Sequence, residues 1–245
     1  MQFNGDYHMH TAYSDGRATV REMVMAGLDC GLSEIGLADH GPNNIGTGVK
    51  NSQVFLAIKE ELAHLQVENS ALQLYAGAEA DVVSLAGDLD IEAKVIKGLD
   101  HLIVGLHPFV WPKDTGGLIW LAENQLVKLF PTLKSRVKND NTKALVEAIH
   151  KHDVWAISHP GLKMPVDIPE VARACAARNT AWEINTGHKY PTYHEVLEAA
   201  HHGVNFLVNS DAHYPETVGC LEYGSWVLEK AGVGTERVLN AVQDC

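Results

Sequence analysis

Short apolar segments that stop at Gly, Asp or His alternate along this chain with longer stretches of helical periodicity. The period-2 and period-3.6 patterns predict strands at Asp6–His10, Glu34–Ala38, Leu72–Glu79, Asp100–Leu106, Val154–Ser158, Ala181–Asn185 and Val204–Asn209. Between them, Thr19-Val-Arg-Glu22 reads as a capping box opening a helix that ends before Gly31. Further helices are predicted at Gln53–Val67, Leu89–Lys97, Gly116–Val137 (interrupted at Pro131), Thr142–His152, Ile168–Arg178, Tyr193–His202, Val218–Ala231 and Thr235–Val242. Seven strands interleaved with helices imply parallel strands joined by right-handed crossovers. An open doubly wound sheet and a closed barrel both satisfy that pattern. No G-x-G-x-x-G follows the first strand, so the dinucleotide-binding open sheet loses support. The expectation is an α/β chain forming one domain over residues 1–245, with a seven-unit barrel as the preferred architecture.

Composition narrows the reading without changing it. The chain has 245 residues, 46% hydrophobic and 20% charged, which is ordinary for a globular protein. Its net charge of −12 and lack of a basic run argue against a binder of long nucleic acid. No apolar run approaches a membrane span, and the first ten residues lack the cationic and apolar regions of a signal peptide. A cytoplasmic protein is expected. Cys30, Cys175, Cys220 and Cys245 form no CxxC pair and read as reduced, mostly buried thiols, with Cys245 at the exposed end. Histidine is the unusual number, at 14 residues.

The carboxyl ends of the predicted strands gather those histidines and several carboxylates. His8 and His10 end the first strand, with Asp15 behind them; Asp39-His40 end the second, and Glu79 the third. His107 ends the fourth, His159 the fifth, and Asp211-Ala-His213 the seventh, while Glu183 lies within the sixth, where it could orient a ligand, bind substrate or serve as a barrel-interior carboxylate, and is left out of the ligand set. In a βα barrel these ends share one rim, where active sites are built. Residues i and i+2 of a strand face the same way, so His8 and His10 can reach one ion. A lone histidine after a strand is an ordinary polar residue, and a lone H-x-H is a weak metal signal. The joint pattern is different: five of seven predicted strands end in histidine. His64, His150, His152, His201 and His202 fall on helices and read as surface residues. His101 begins a strand, on the opposite rim. His188 and His194 follow the sixth strand, and His188 is a candidate substrate contact.

Six imidazoles and three carboxylates are more than one ion needs, since catalytic zinc takes about three protein ligands and keeps an open position. Two or three ions suit the set, and mixed N and O donors without sulfur suit Zn first, then Mn or Fe. Divalent ions there would outweigh three carboxylates and make the site locally positive, attractive to a phosphate despite the chain's acidity.

The motifs HMHTAYSD, ADHG, GLHP, ISHPG and NSDAH, with Glu79 between them, occur in an order that resembles the PHP (polymerase and histidinol phosphatase) superfamily, and most of all its small YcdX-like phosphatases. The resemblance implies a distorted (β/α)7 barrel with a trinuclear metal centre. By position, His8, His10, Glu79 and Asp211 would hold one ion. Glu79 would bridge to a second, held also by His107 and His159. Asp15, His40 and His213 would hold the third. The SDG at Ser14–Gly16 departs from the YcdX-like proteins, which place a histidine near Asp15.

The expected activity is hydrolysis of a small phosphomonoester by a hydroxide bridging two ions, with Asp211 in the machinery and Asp15 or His213 as leaving-group acid if unligated. Arg17, Lys113, Lys163 and Lys189 are candidate phosphate contacts, and Trp111 and Tyr190 candidate stacking surfaces. Amide hydrolysis is a rival reading, weakened because Glu79 stands where amidohydrolases commonly carry a bridging lysine. A phosphodiesterase is a second. A non-catalytic metal-binding partner module is a third, weakened because such a module has no need of all nine residues. A homo-oligomer is compatible with the sequence but not specified by it.

Overall fold

The computed structural model describes residues 1–243; Cys245 lies outside the described residues. Its strands are β1 (Gly5–Asp6), β2 (Glu34–Leu37), β3 (Gln73–Asp81), β4 (His101–Gly105), β5 (Ala156–Ile157), β6 (Ala181–Asn185) and β7 (Phe206–Asn209). They pair in sequence order, all parallel, and curl into a nearly closed TIM-like barrel. The outer layer consists of α1 (Val20–Asp29), α2 (Val54–Glu68), α3 (Ala93–Ile96), α4 (Thr115–Leu126), α5 (Lys134–Lys151), α6 (Ile168–Arg178), α7 (Tyr193–Ala200) and α8 (Glu222–Ala231). Local signals set several boundaries. Thr19 with Glu22, and Thr192 with Glu195, form complete capping boxes at α1 and α7. Asp114 and Asp167 cap α4 and α6.

Several expected elements change extent for identifiable reasons. The helix expected over Gly116–Val137 divides into α4 and the start of α5, because Pro131 opens a 3-10 turn that runs directly into Lys134. The separately expected Thr142–His152 helix is the second half of that same α5. The Leu89–Lys97 helix contracts to α3, since Leu89 bridges back to Val82 and the Asp90 amide donates to Asp81. The last two helices also shorten. Residues 215–221 form a 3-10 turn and a left-handed Gly219 before α8. The Thr235–Val242 helix reduces to a 3-10 turn at Thr235–Arg237, after which the chain extends alongside β7.

That extended segment closes the barrel. β1 and β7 are joined largely through side chains. The Asn240 amide donates to the carbonyls of Gly5 (2.7 Å) and Val208 (2.6 Å) and accepts from Val208 N–H. Asn209 Oδ1 accepts from Tyr7 N–H, and Asp6 accepts from the amides of Ser210 and Gly219. Backbone bridges across the join form at Met9 and Ala212 and, through the extended segment, at Phe3 and Ala241.

Two apolar regions support the barrel. The larger lies between strands and helices and includes Met23, Ile35, Phe55, Trp120, Trp182 and Phe206. The smaller fills the barrel interior with Tyr7, Ala38, Ile103, Ala156, Ala181 and Leu207, against Tyr75 and Trp155. His101 belongs to that lower end. Its Nε2 donates to the Tyr7 carbonyl (3.0 Å), and its ring packs edge-on to Trp155, centroids 5.3 Å apart. Gly36 and Gly77 make room for it: a Cβ on Gly77 would lie 2.2 Å from His101 Nε2. The expectation that His101 sits away from the other strand-end histidines holds.

Candidate metal centre at the barrel rim

The nine strand-end residues converge, although they come from the ends of six different strands. His8 and His10 lie beyond the two-residue β1, on an extended continuation, with ring centroids 5.0 Å apart. Glu79 is fully buried at the middle of the group. Its Oε2 lies 2.8 Å from His40 Nδ1 and 3.4 Å from His8 Nε2. Its Oε1 lies 3.1 Å from His159 Nε2 and 3.6 Å from His107 Nε2. Asp211 Oδ1 lies 3.0 Å from His10 Nε2, and Asp15 Oδ1 lies 3.3 Å from His213 Nε2. β4 leaves the space for this crowding at Gly105, where a Cβ would fall 2.5 Å from Ser158 Oγ and 3.1 Å from Glu79 Oε1.

Three groups present donor atoms all within 4.8 Å of one another: His8, His10 and Asp211; His40, Glu79 and His107; and His10, Asp15, His40 and His213. These groups differ from the expected division: His40 stands with Glu79 and His107 where His159 was expected, His159 falls in none of the three, and Glu79 is not grouped with His8, His10 and Asp211. His40 turns Nδ1 toward Glu79, and His10 also faces Asp15 at 3.8 Å.

Buried atoms without a hydrogen-bond partner concentrate here: His8 Nε2, both His10 ring nitrogens, both Glu79 carboxylate oxygens and Asp211 Oδ1. A buried polar atom left unpaired costs about 1–3 kcal/mol. Six of them facing one another fit a site organised around cations, and a donor set of imidazoles and carboxylates suits first-row divalent metals.

Electrostatics agree with that fit. Burial alone would depress the His8 imidazole, yet Glu183, Glu79 and Asp211 outweigh it and hold its pKa well above the ordinary value. His40 is likewise pushed down by burial but raised to about 9, chiefly by Glu79. His10 goes the other way, lowered by burial and by neighbouring His40. Burial opposes ionisation of Glu79 and Asp211, but the surrounding imidazoles keep both well below the usual carboxylate range.

Two of these residues hold strained backbones. His159 (φ 26°) and Asp211 (φ 55°) occupy the left-handed region, which costs a non-glycine residue about 1–3 kcal/mol. Glu183 Oε2 accepts from His159 N–H (2.8 Å), and Asn185 donates to Asp211 Oδ2 (2.8 Å), fixing both.

The sequence matches the PHP domain family over residues 6–213. The chain belongs to this family. A "probable phosphatase" of Shewanella piezotolerans (strain WP3 / JCM 13877) is 27% identical to this PHP protein over 98% of the chain and 90% of the relative. Another, from Yersinia pestis (strain Pestoides F), is 25% identical over 96% and 89%. Two solved structures share the fold. A histidinol phosphate phosphatase from Lactococcus lactis subsp. lactis Il1403, complexed with zinc, L-histidinol and phosphate, superposes with a TM-score of 0.63, 15% identity and 94% coverage of each chain. A putative histidinol phosphatase from Listeria monocytogenes gives 0.68 and 16%, covering 91% of this chain and 99% of its own.

In this PHP domain a ring of further residues supports the donors; of these, only Glu183 was a candidate from the sequence to orient a ligand. Glu183 Oε1 receives His8 Nδ1 at 2.7 Å and Asn209 Nδ2 at 2.9 Å. Asp81 lies 2.5 Å from His107 Nδ1, and Asp39 accepts from the Thr11 and Ser14 hydroxyls. Asp81 was readable in principle, since it stands two residues after Glu79 on one strand. Asp90 was not. It accepts from the amides of Asn43 and Asp81, and burial, together with the Asp81 carboxylate, raises its pKa.

A cleft of about 560 Å³ opens above the centre. Asp15, His40, His107, His159, Asp211 and His213 form its floor, as does His188. Of the expected phosphate contacts, Arg17 and Lys163 line it. Lys113 instead pairs with Asp88 at 3.0 Å. Lys189 and the expected stacking residues Trp111 and Tyr190 are not part of the lining; Tyr190 donates to the Pro160 carbonyl. Phe109 and Tyr214 occupy the cleft wall in their place. Among the cysteines, Cys175 is buried while Cys30 and Cys220 are exposed, so mostly buried thiols is not the outcome. No helix among the described residues is long and apolar enough to cross a membrane.

Proposed function

We propose that this PHP protein is a metal-dependent phosphatase that hydrolyses a small phosphomonoester, acting in the cytoplasm as one domain over residues 1–245. The observation that carries the proposal is the set of unpartnered buried donors around Glu79, in a chain of the PHP family whose full-length relatives are named as probable phosphatases.

His8, His10, Asp15, His40, Glu79, His107, His159, Asp211 and His213 are proposed to hold two to three divalent ions, zinc first, with Mn or Fe as alternatives. When bound, such ions polarise phosphoryl oxygens and acidify water for in-line attack. The chain's own residues set the geometry. Glu183 and Asp81 fix the rings of His8 and His107 through their other nitrogens, which selects the tautomer that faces the centre. Asn185 holds Asp211. Asp15 and His213 are the most solvent-exposed of the nine side chains, at 26% and 28%. They stand on the side from which substrate enters, and whichever is not coordinating is placed to give the leaving group its proton.

The test is elemental analysis of the purified protein together with phosphate release from a small panel of phosphomonoesters, with Zn²⁺ or Mn²⁺ supplied. Two to three equivalents of metal and phosphate release are expected. In His10→Ala and Asp211→Ala, phosphate release should fall by at least about 10²–10³-fold, the loss typical of removing one preorganised electrostatic contact. Full activity in either variant would exclude these assignments, and a metal-free active enzyme would overturn the reading.

A further inference from the structure

The cleft above the centre has an uneven inventory of charge. Among the described residues, its only carboxylates are Asp15 and Asp211, and both belong to the donor groups on its floor. Its walls carry two cations from opposite parts of the barrel: Arg17, in the loop after β1, and Lys163, in the loop after β5. Neither forms a salt bridge with a carboxylate among the described residues, although Arg21, Lys59, Lys113, Arg136, Lys138 and Lys151 all do. The backbone beneath Arg17 is fixed. Its amide donates to the His213 carbonyl (2.8 Å), and Gly16 packs so closely that a Cβ there would lie 2.3 Å from the His10 carbonyl oxygen.

Of the remaining wall, Ile45, Phe109, Leu162 and Tyr214 are large apolar or aromatic side chains, beside the polar Asn44 and Thr47. Ile45 and Phe109 sit on a small antiparallel link between the loops after β2 and β4. Ile45 N–H donates to the Phe109 carbonyl, Asn44 bridges to Val110, and Trp111 N–H donates to the Asn43 carbonyl, each hydrogen bond at 2.9 Å. Asp90 anchors the link from below through Asn43 N–H (3.0 Å). Ile45, Phe109 and Tyr214 are each about half exposed, which is unusual for large apolar side chains held by a fixed backbone over a polar centre.

We infer that the substrate's leaving group carries a second negative charge on a flat or apolar body, and that a leaving group bearing an amine is disfavoured. The inference rests on the phosphatase reading of this same centre. Ions held by the floor residues would compensate the phosphoryl group, which would leave Arg17 and Lys163 at the walls to meet another anion. A cationic leaving group would find no free carboxylate in the cleft and two like charges instead.

Three aryl phosphates of matched shape test this on the metal-loaded enzyme. They are the phosphate esters of 3-(4-hydroxyphenyl)propanoate, 4-ethylphenol and tyramine, which end in a carboxylate, a methyl group and an ammonium. The order of kcat/KM should be carboxylate, then neutral, then ammonium, each step about 5–10-fold, as a partly desolvated charge contact would give. The double variant Arg17→Gln/Lys163→Gln should compress that order toward equality, with the carboxylate ester losing most. Two results overturn the inference while leaving the phosphatase reading intact: equal rates for the three esters, or an equal loss on all three in the double variant, which would place the cations on the phosphoryl group. Failure to hydrolyse any phosphomonoester would remove the phosphatase reading and the inference with it.

Discussion

His8 and His101 are both fully buried inside the same barrel, and their surroundings drive them in opposite directions. His8 faces Glu79, Glu183 and Asp211 with Nε2 unpartnered, and its charged form is favoured despite burial. His101 is enclosed by Tyr7, Trp155 and two glycines, and burial lowers its pKa to about 4. Its Nε2–H already has an acceptor, while Nδ1 has none, so a second ring proton would be buried unpaired. Burial alone therefore does not mark a functional histidine. The distinguishing feature is whether the surrounding atoms are left incomplete without something added. At the rim they are; at the lower end the aromatic packing is self-sufficient.

The largest test of this contrast is pH. His101 is neutral in the folded chain and titrates near 6.5 when unfolded, so the unfolded state binds more protons between pH 6.5 and about 4. Its contribution to stability is complete above pH 6.5 and is lost as pH falls toward 4, in total about 3 kcal/mol. His40 has the opposite sign in metal-stripped protein. Its pKa is raised to about 9, so its contribution is complete below pH 6.5 and is lost as pH rises through 9. Denaturant titrations of the stripped protein should thus lose stability on both sides of pH 6.5. Zinc should abolish the alkaline loss and leave the acid one. If zinc removed both, the two histidines would not be separate in the way described.

A smaller effect isolates the supporting ring. Glu183→Gln keeps the shape but weakens the hold on His8, so metal affinity measured by chelator competition should fall about 10–100-fold. An affinity unchanged within twofold would mean that His8 is positioned by packing alone. The smallest effect belongs to the lower end. Trp155→Leu removes aromatic contacts with Tyr7 and His101 and should cost about 0.5–1.5 kcal/mol in thermal unfolding, with kcat/KM unchanged within twofold. A larger loss in kcat/KM than in stability would show the two ends to be coupled.

The unequal legibility of the chain follows from the same physics. Strand order and the nine rim positions were readable, because a βα repeat sends every strand's carboxyl end to one rim, and His8, His40, Glu79, His107, His159 and Asp211 punctuate those ends. Strand lengths were less so. The Asp6–His10 segment looks like one strand in sequence, but its regular ladder ends at Asp6, and beyond it pairing continues only as isolated backbone contacts at Met9 and His10 with Ala212 and Ala38 and through the side chains of Asn209 and Asn240. Glu183 was visible on its strand yet not assigned, since nothing local distinguishes a carboxylate that orients an imidazole from one that binds a metal. The cleft wall was least legible. Trp111 and Phe109 are neighbours in sequence, and the pairing of two distant loops at Asn43–Ile45 accompanies the placement of Phe109 in the cleft.

The side-chain seam between β1 and β7 has a consequence for the order of synthesis. Asn240 reaches the Gly5 carbonyl across 235 residues, and His8 and Asp211 stand on opposite sides of the join it secures. A ribosome makes His8 and His10 more than two hundred residues before Asn240, which secures their side of the barrel. A nascent chain can therefore build the middle strands as it emerges, but the donor set assembles only after Asn240 has left the exit tunnel. Translation itself thus sets the earliest moment at which the complete donor set can come together.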